Sequence, residues 1–267
     1  MEEKDLSFVL RHYKKGQLDT QQAIRLFRQR TRQSHSRRPL RAIAVAATVA
    51  VLIAAGAMLW LGQSAEKGVT VEAGSVAEAC TLPDGSRITL SPGTSINYSP
   101  DDMEHGHRYV ELSGTAYFEV KHNPRRPFIV SGQGATVKVL GTKFQIEQLA
   151  GGSSTVYVAD GRVLFGRSGT GSGIVLRRGM KALLDKGKRH PQIIPPGSAN
   201  QTVWATRIFV FDNTPMNEAL GDLSAFYNVN LTASDSTQRI TGTFEADDLN
   251  TIISVIGKTL GIKIEKE

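Results

Sequence analysis

Twenty consecutive residues, Ala42 to Leu61, carry no charge, and only Thr48 among them has a polar side chain. At about 1.5 Å per helical residue such a run reaches ~30 Å, the thickness of a bilayer's hydrocarbon core. It also divides the chain by charge. Residues 1–41 hold 11 Lys+Arg against 4 Asp+Glu, a net of +7, while residues 62–267 hold 21 of each, a net of zero. Arg37, Arg38 and Arg41 lie against the edge of the run. By the positive-inside rule the arm stays in the cytoplasm and the remainder is exported. The expectation is therefore a single-pass protein of the inner (cytoplasmic) membrane, N-terminus cytoplasmic and C-terminus periplasmic, with Trp60 at the far interface. A secretory signal peptide is the competing reading, but its apolar region is ordinarily about 7–15 residues behind a short basic region. Positive charge confined to an arm beside a bilayer argues for orientation and anionic lipid, not for direct contact with nucleic acid. Cys80 is the single cysteine, so no internal disulfide can brace the exported part, which must hold by burial alone.

In the arm, Leu6, Val9, Leu10 and Tyr13 recur at helical spacing. Gly16 interrupts, and Asp19 or Thr20 can cap a second helix whose inner face is Ala23, Ile24 and Phe27. Two short amphipathic helices cannot bury enough apolar surface to fold alone. They lie on the membrane or, the reading preferred here because the apolar stripe is narrow and lacks a Trp anchor, complete a core against a cytoplasmic protein.

From Val69 to about Leu184 the apolar pattern has period two, broken by turns such as Pro83-Asp84-Gly85, Ser91-Pro92-Gly93 and Asn123-Pro124. The inward parity is odd at Val137 and Val139 but even at Phe144 and Ile146. A bulge or sharp bend is expected at Leu140-Gly141-Thr142. The glycine-rich stretch from Gly166 to Gly173 reads as a loop between strands, since it lacks the Lys-Ser/Thr ending of a phosphate-binding loop. After the linker Pro195-Pro196-Gly197-Ser198, residues 211–231 match residues 244–264 at a constant offset of 33. Phe211 matches Phe244, Leu223 matches Ile256 and Val229 matches Ile262. Each copy reads strand, helix, strand, with Thr214-Pro215 and Asp247-Asp248 at the helix starts and Asn228 and Gly261 just past the ends. Two βαβ units packing their helices on a shared sheet are expected.

The organisation expected is a helical arm over 1–38, a span over 40–61, a linker over 62–74, an all-β domain (sandwich or solenoid-like) over 75–190 and a small α+β domain over 198–267. No catalytic, cofactor-binding or metal-binding residue is assigned. His105-Gly106-His107 follows Asp101-Asp102 in a loop without a third ligand at a defined spacing. No nucleophile motif or Cys–His pair is present, so an enzyme is not expected.

The stretches Leu82-Pro-Asp-Gly-Ser-Arg-Ile-Thr-Leu90, Val110-Glu-Leu-Ser-Gly-Thr-Ala-Tyr-Phe-Glu-Val120, Pro127-Phe-Ile-Val130 and Val137-Lys-Val-Leu-Gly-Thr-Lys-Phe144 closely resemble the FecR family of membrane-bound anti-sigma factors. The arm, with Phe8-Val-Leu-Arg-His-Tyr13, is similar to the cytoplasmic end of Bacteroidetes-type members. The tail resembles their C-terminal domain, itself similar to the short N-terminal module of secretins and TonB-dependent receptors. The resemblance implies that the arm holds an extracytoplasmic-function sigma factor through Leu6, Val9, Leu10, Tyr13, Ala23, Ile24 and Phe27. It also implies that the periplasmic part receives a signal from the N-terminal signalling domain of a TonB-dependent outer-membrane transporter. Some members are cut at the Gly-Thr of this motif, so the resemblance offers Gly141 and Thr142 as a candidate site of self-cleavage, the reading preferred here being that Gly141 is simply a bulge glycine. A single-span envelope adaptor docking a transporter or secretin, with no transcriptional role, is the competing function.

Overall fold

A strand with one face on a core must alternate, and Arg108–Ser113 does so residue by residue: Arg108, Val110 and Leu112 are buried, Tyr109, Glu111 and Ser113 exposed. The computed structural model describes Gln21, residues 24–26 and residues 68–266. The expected membrane span lies outside them, and among the described residues no helix is long and apolar enough to cross a membrane.

Fourteen strands among the described residues form two seven-stranded sheets. The first runs, in spatial order, β1 (Val69–Glu72), β4 (Ser95–Tyr98), β5 (Arg108–Ser113), β7 (Phe128–Gly132), β8 (Ala135–Val139), β11 (Arg162–Arg167) and β12 (Gly173–Arg177). The second runs β14 (Gln192–Ile194), β13 (Lys181–Leu184), β10 (Ser154–Asp160), β9 (Lys143–Gln148), β6 (Thr115–Glu119), β3 (Arg87–Leu90) and β2 (Glu78–Thr81). Neighbours are antiparallel except β5 and β7, which run parallel. Ile88, Leu90, Phe118 and Phe144 from one sheet and Val110, Phe128, Val137 and Phe165 from the other share a single core. The domain is thus a sandwich and not a solenoid. Phe118 and Phe144 stack with centroids 4.9 Å apart, and Phe118 meets Phe128 edge-on across the core at 6.3 Å.

The change of parity at 140–142 is a sharp bend, and its cause is topological. Val139 ends β8 in the first sheet and Lys143 begins β9 in the second. The chain turns a corner of the sandwich there, so Val139 and Phe144 both point into one core despite an odd separation. The region around Asp101-Asp102, expected as loop, forms a short helix α1 (Pro100–His105). Ser99 caps it, its Oγ accepting from the Asp102 N–H at 3.3 Å, and Pro100 opens the first turn.

The tail contains α2 (Val203–Thr206) and then β15 (Ile208–Pro215), α3 (Met216–Tyr227), β16 (Leu231–Ala233), β17 (Arg239–Glu245), α4 (Leu249–Leu260) and β18 (Ile264–Lys266). Each copy of the repeat is strand, helix, strand, as the offset predicts. Asn228 and Gly261 hold the left-handed positions after the two helices, at φ 52° and 66°. Asp248 caps α4, accepting from the Asn250 and Thr251 N–H groups. The strands pair between copies, β15 with β17 and β16 with β18, giving two two-stranded ladders in place of one shared sheet. Neither copy closes a ladder alone. Phe209, Phe211, Met216, Leu220, Leu223, Ile252 and Ile256 form its core.

One part of the sandwich departs from alternation. Thr89, Tyr117, Gln145, Tyr157 and Lys181 form a cross-strand row over β3, β6, β9, β10 and β13, on the face of the second sheet turned away from the core. Yet Tyr117, Gln145 and Tyr157 are only 4 %, 7 % and 6 % exposed. Residues 199–206 account for this. Trp204 Nε1 donates to Gln145 Oε1 at 2.9 Å, and Lys181 Nζ donates to Gln201 Oε1 at 3.0 Å. The same segment is fastened to the tail, since Ser198 Oγ and Asn200 Nδ2 both donate to Asp222 Oδ2, at 2.6 and 2.8 Å, and Val203 is buried in the tail's core. The segment just past the linker Pro195-Pro196-Gly197-Ser198 is a strap, and residues 66–267 form one compact unit.

Candidate functional site

The corner between β8 and β9 is the one sequence-derived site that lies fully within the described residues. Thr142 is 3 % exposed, and its Oγ donates to the Arg162 carbonyl at 2.8 Å. A side chain on Gly141 would drive its Cβ to 2.5 Å from His122 Cα, so only glycine fits under that loop. Gly161 lies on the other side with φ +92°, and a Cβ there would come within 2.9 Å of Thr142 Oγ and 3.1 Å of the Gly141 carbonyl oxygen. Two close backbone approaches therefore enclose a single peptide bond.

The loop over that bond is fixed by a residue that the sequence pattern passes over. Arg108 occupies the inward parity of β5 yet carries a charge, and its side chain is 2 % exposed beside Asp84 at 4 %, the two 3.1 Å apart. Its guanidinium donates to the carbonyls of Lys121 at 2.9 Å, Asn123 at 3.3 Å and Arg126 through Nε at 2.7 Å, and lies 5.6 Å from the centroid of the Phe128 ring. Asp84 in turn accepts from the Ser86 N–H and hydroxyl at 2.9 and 2.8 Å. The Leu-Pro-Asp-Gly-Ser turn is thereby tied to residues 121–126 through a fully satisfied buried ion pair. Arg126 extends the network by donating to the carbonyls of Asp102, Met103, Glu104 and Gly106 at the end of α1. A cation in an otherwise apolar inward register is the signal that would have exposed Arg108.

Of the arm residues assigned to partner binding, Leu6, Val9, Leu10, Tyr13, Ala23 and Phe27 lie outside the described residues. Ile24 is helical and 52 % exposed. His105 Nδ1 lies 3.5 Å from Asp101 Oδ1 on the exposed face of α1. Among the described residues no group of three His, Cys, Asp or Glu side chains is placed to hold a metal ion. Cys80 is partly buried, and burial, with Glu78 nearby, pushes its thiol up from the ordinary value.

Residues 67–164 match the family model described as FecR protein, and residues 208–267 match the model described as FecR, C-terminal. No curated protein matches the chain. Two crystal structures of a candidate anti-sigma factor from Parabacteroides distasonis ATCC 8503, at 1.65 and 2.50 Å resolution, are similar at 25 % identity and a TM-score of 0.47. The match covers 74 % and 75 % of this chain, respectively, and 95 % of each of those chains.

Proposed function

Because the chain belongs to the FecR family, we propose that it is a transmembrane anti-sigma factor whose arm captures an extracytoplasmic-function sigma factor and whose exported part receives a signal from a TonB-dependent transporter. The observation that carries this reading is the pair of family matches, which fall on the sandwich and on the duplicated tail. The charge asymmetry about Ala42–Leu61 supports the topology. The arm's two short apolar stripes support a partner, because they have no core of their own. Deleting residues 1–35 from the full-length protein tests the role. A sigma factor co-purifies with the intact chain and is lost with the deletion, and the transcripts under its control change. An unchanged set of co-purifying proteins and an unchanged transcriptome would instead favour the envelope adaptor.

Signal relay is then a matter of cutting the chain. The peptide bond between Gly141 and Thr142 is enclosed, and the hydroxyl on its C-terminal side is held in place. In self-cleavage the Thr142 Oγ adds to the Gly141 carbonyl carbon, the C–N bond breaks to leave an ester and a free Thr142 amine, and water hydrolyses the ester. Thr142→Ala removes the nucleophile. Full-length wild type is expected to yield two fragments on a denaturing gel and the variant only intact chain. If both stay intact, or both fragment alike, self-cleavage at this corner is excluded.

A further inference from the structure

Each sheet of the sandwich turns one face to the core, and the two outer faces differ. That of the second sheet lies under the strap, which meets it through Trp204 on Gln145 and Gln201 on Lys181. That of the first sheet is open. A cross-strand row runs over it through Tyr109, Ile129, Lys138, Leu164 and Val175, on β5, β7, β8, β11 and β12. Tyr109, Leu164 and Val175 are 45 %, 38 % and 56 % exposed, so the apolar members of this row meet solvent.

The charges beside the row are sorted by sign. On one side of the central strand β7, the outward positions carry Glu72 and Glu111; on the other side they carry Lys138, Arg162 and Arg177. All five are exposed, and among the described residues none has an ion-pair partner. Arg162 and Arg177 stand directly opposite each other in register, where like charges repel. A sheet left in water gains nothing from this arrangement. A second copy turned face to face does, because its basic half then covers the first copy's acidic half, and the reverse. Strands lie about 4.8 Å apart and alternate residues about 6.8 Å apart along each strand. On that lattice the oblique in-face two-fold axis that sets Arg177 over Glu72 also sets Lys138 over Glu111, and it passes beside Ile129 on β7. A groove lined by Thr70, Asn97, Glu111, Ser113 and Gln133 opens next to Glu111 and can take a long cation.

We infer that the outer face of the first sheet is the contact surface of a homodimer, an isologous interface whose occupant is a second copy of this chain. The test measures self-association of the full-length protein in detergent by sedimentation equilibrium, with thermal unfolding of each variant alongside. Arg162→Glu with Arg177→Glu makes the face predominantly acidic, and Glu72→Lys with Glu111→Lys makes it basic. Wild type is expected to dimerise, each double variant to dimerise at least about 10-fold more weakly, and an equimolar mixture of the two variants to recover as a heterodimer. Ile129→Cys in a Cys80→Ser chain leaves the charges alone and is expected to close a disulfide across the axis on mild oxidation. A monomeric wild type overturns the inference. So does a dimer that both charge variants leave intact, or a mixture that fails to recover although each variant unfolds at the wild-type midpoint. A thiol at position 129 that stays unpaired on oxidation overturns it as well. If that thiol is instead shielded only in vesicles containing phosphatidylglycerol, the face belongs to lipid and not to a second copy.

Discussion

Arg108→Ala is expected to cost the sandwich about 3–5 kcal/mol, the range for breaking a buried ion pair by removing one partner. The magnitude follows from what is left behind. Asp84 would remain at 4 % side-chain exposure without its counter-ion, and the carbonyls of Lys121, Asn123 and Arg126 would lose their guanidinium donor. Against a typical domain stability of about 5–15 kcal/mol that loss is large. The check is chemical denaturation of the full-length protein in detergent, in which the midpoint falls at constant slope. Arg108→Met separates charge from volume. A methionine fills much of the same space over Phe128 but bonds to nothing, so it should recover little. Asp84→Ala combined with Arg108→Ala should cost less than the two singles added, because the second removal takes away a charge already stranded. An Arg108→Ala loss below about 1 kcal/mol, the scale of an exposed pair, would show that the pair is hydrated and is not the fastener described here.

The limits of the sequence pattern are visible at the same residues. Alternation in Arg108–Ser113 reveals Val110 and Leu112 at once, but a charge in the inward register reads as a strand end when each strand is viewed alone. Its four acceptors come from three other segments, 84, 121–123 and 126, whose convergence is set by topology. The parity change at Leu140-Gly141-Thr142 is legible as a break, yet period two has no term for a chain that leaves one sheet for another, so bend and bulge look alike until β8 and β9 are assigned to different sheets. The repeat at offset 33 is fully legible because it is encoded in residue identity. That its strands pair across copies is not, since partner choice depends on where the helices send the chain. The helix at Pro100–His105 could have been found from Ser99, Pro100 and Asp102, which together make a capped start.

The strap shows how a segment just past a proline-rich stretch can fasten two cores together, and Trp204→Ala carries the second large expectation. Truncating a fully buried tryptophan costs about 3–5 kcal/mol, and a partly exposed one somewhat less, about 2–3 kcal/mol. Here the loss falls on the link between two cores. With the indole gone, Gln145 loses its donor and the row Tyr117, Gln145, Tyr157 loses its cover. Two readouts follow. Unfolding of residues 66–267, one compact unit in the wild type, should resolve into separate transitions for the sandwich and the tail. The tyrosines give the other. Burial, with Glu119 nearby, pushes the Tyr117 phenol well above its ordinary range, and burial also raises Tyr157 against the opposing pull of Arg178. A phenol with a raised value in the folded state stays neutral where the unfolded chain ionises, so its contribution is intact below about pH 10 and is lost as pH climbs toward the folded value. In an alkaline absorbance titration the variant should therefore form phenolate at lower pH than wild type, at two of the six tyrosines. If the titration and the unfolding profile both match wild type, some other segment covers the row, and the tail is not joined to the sandwich through Trp204.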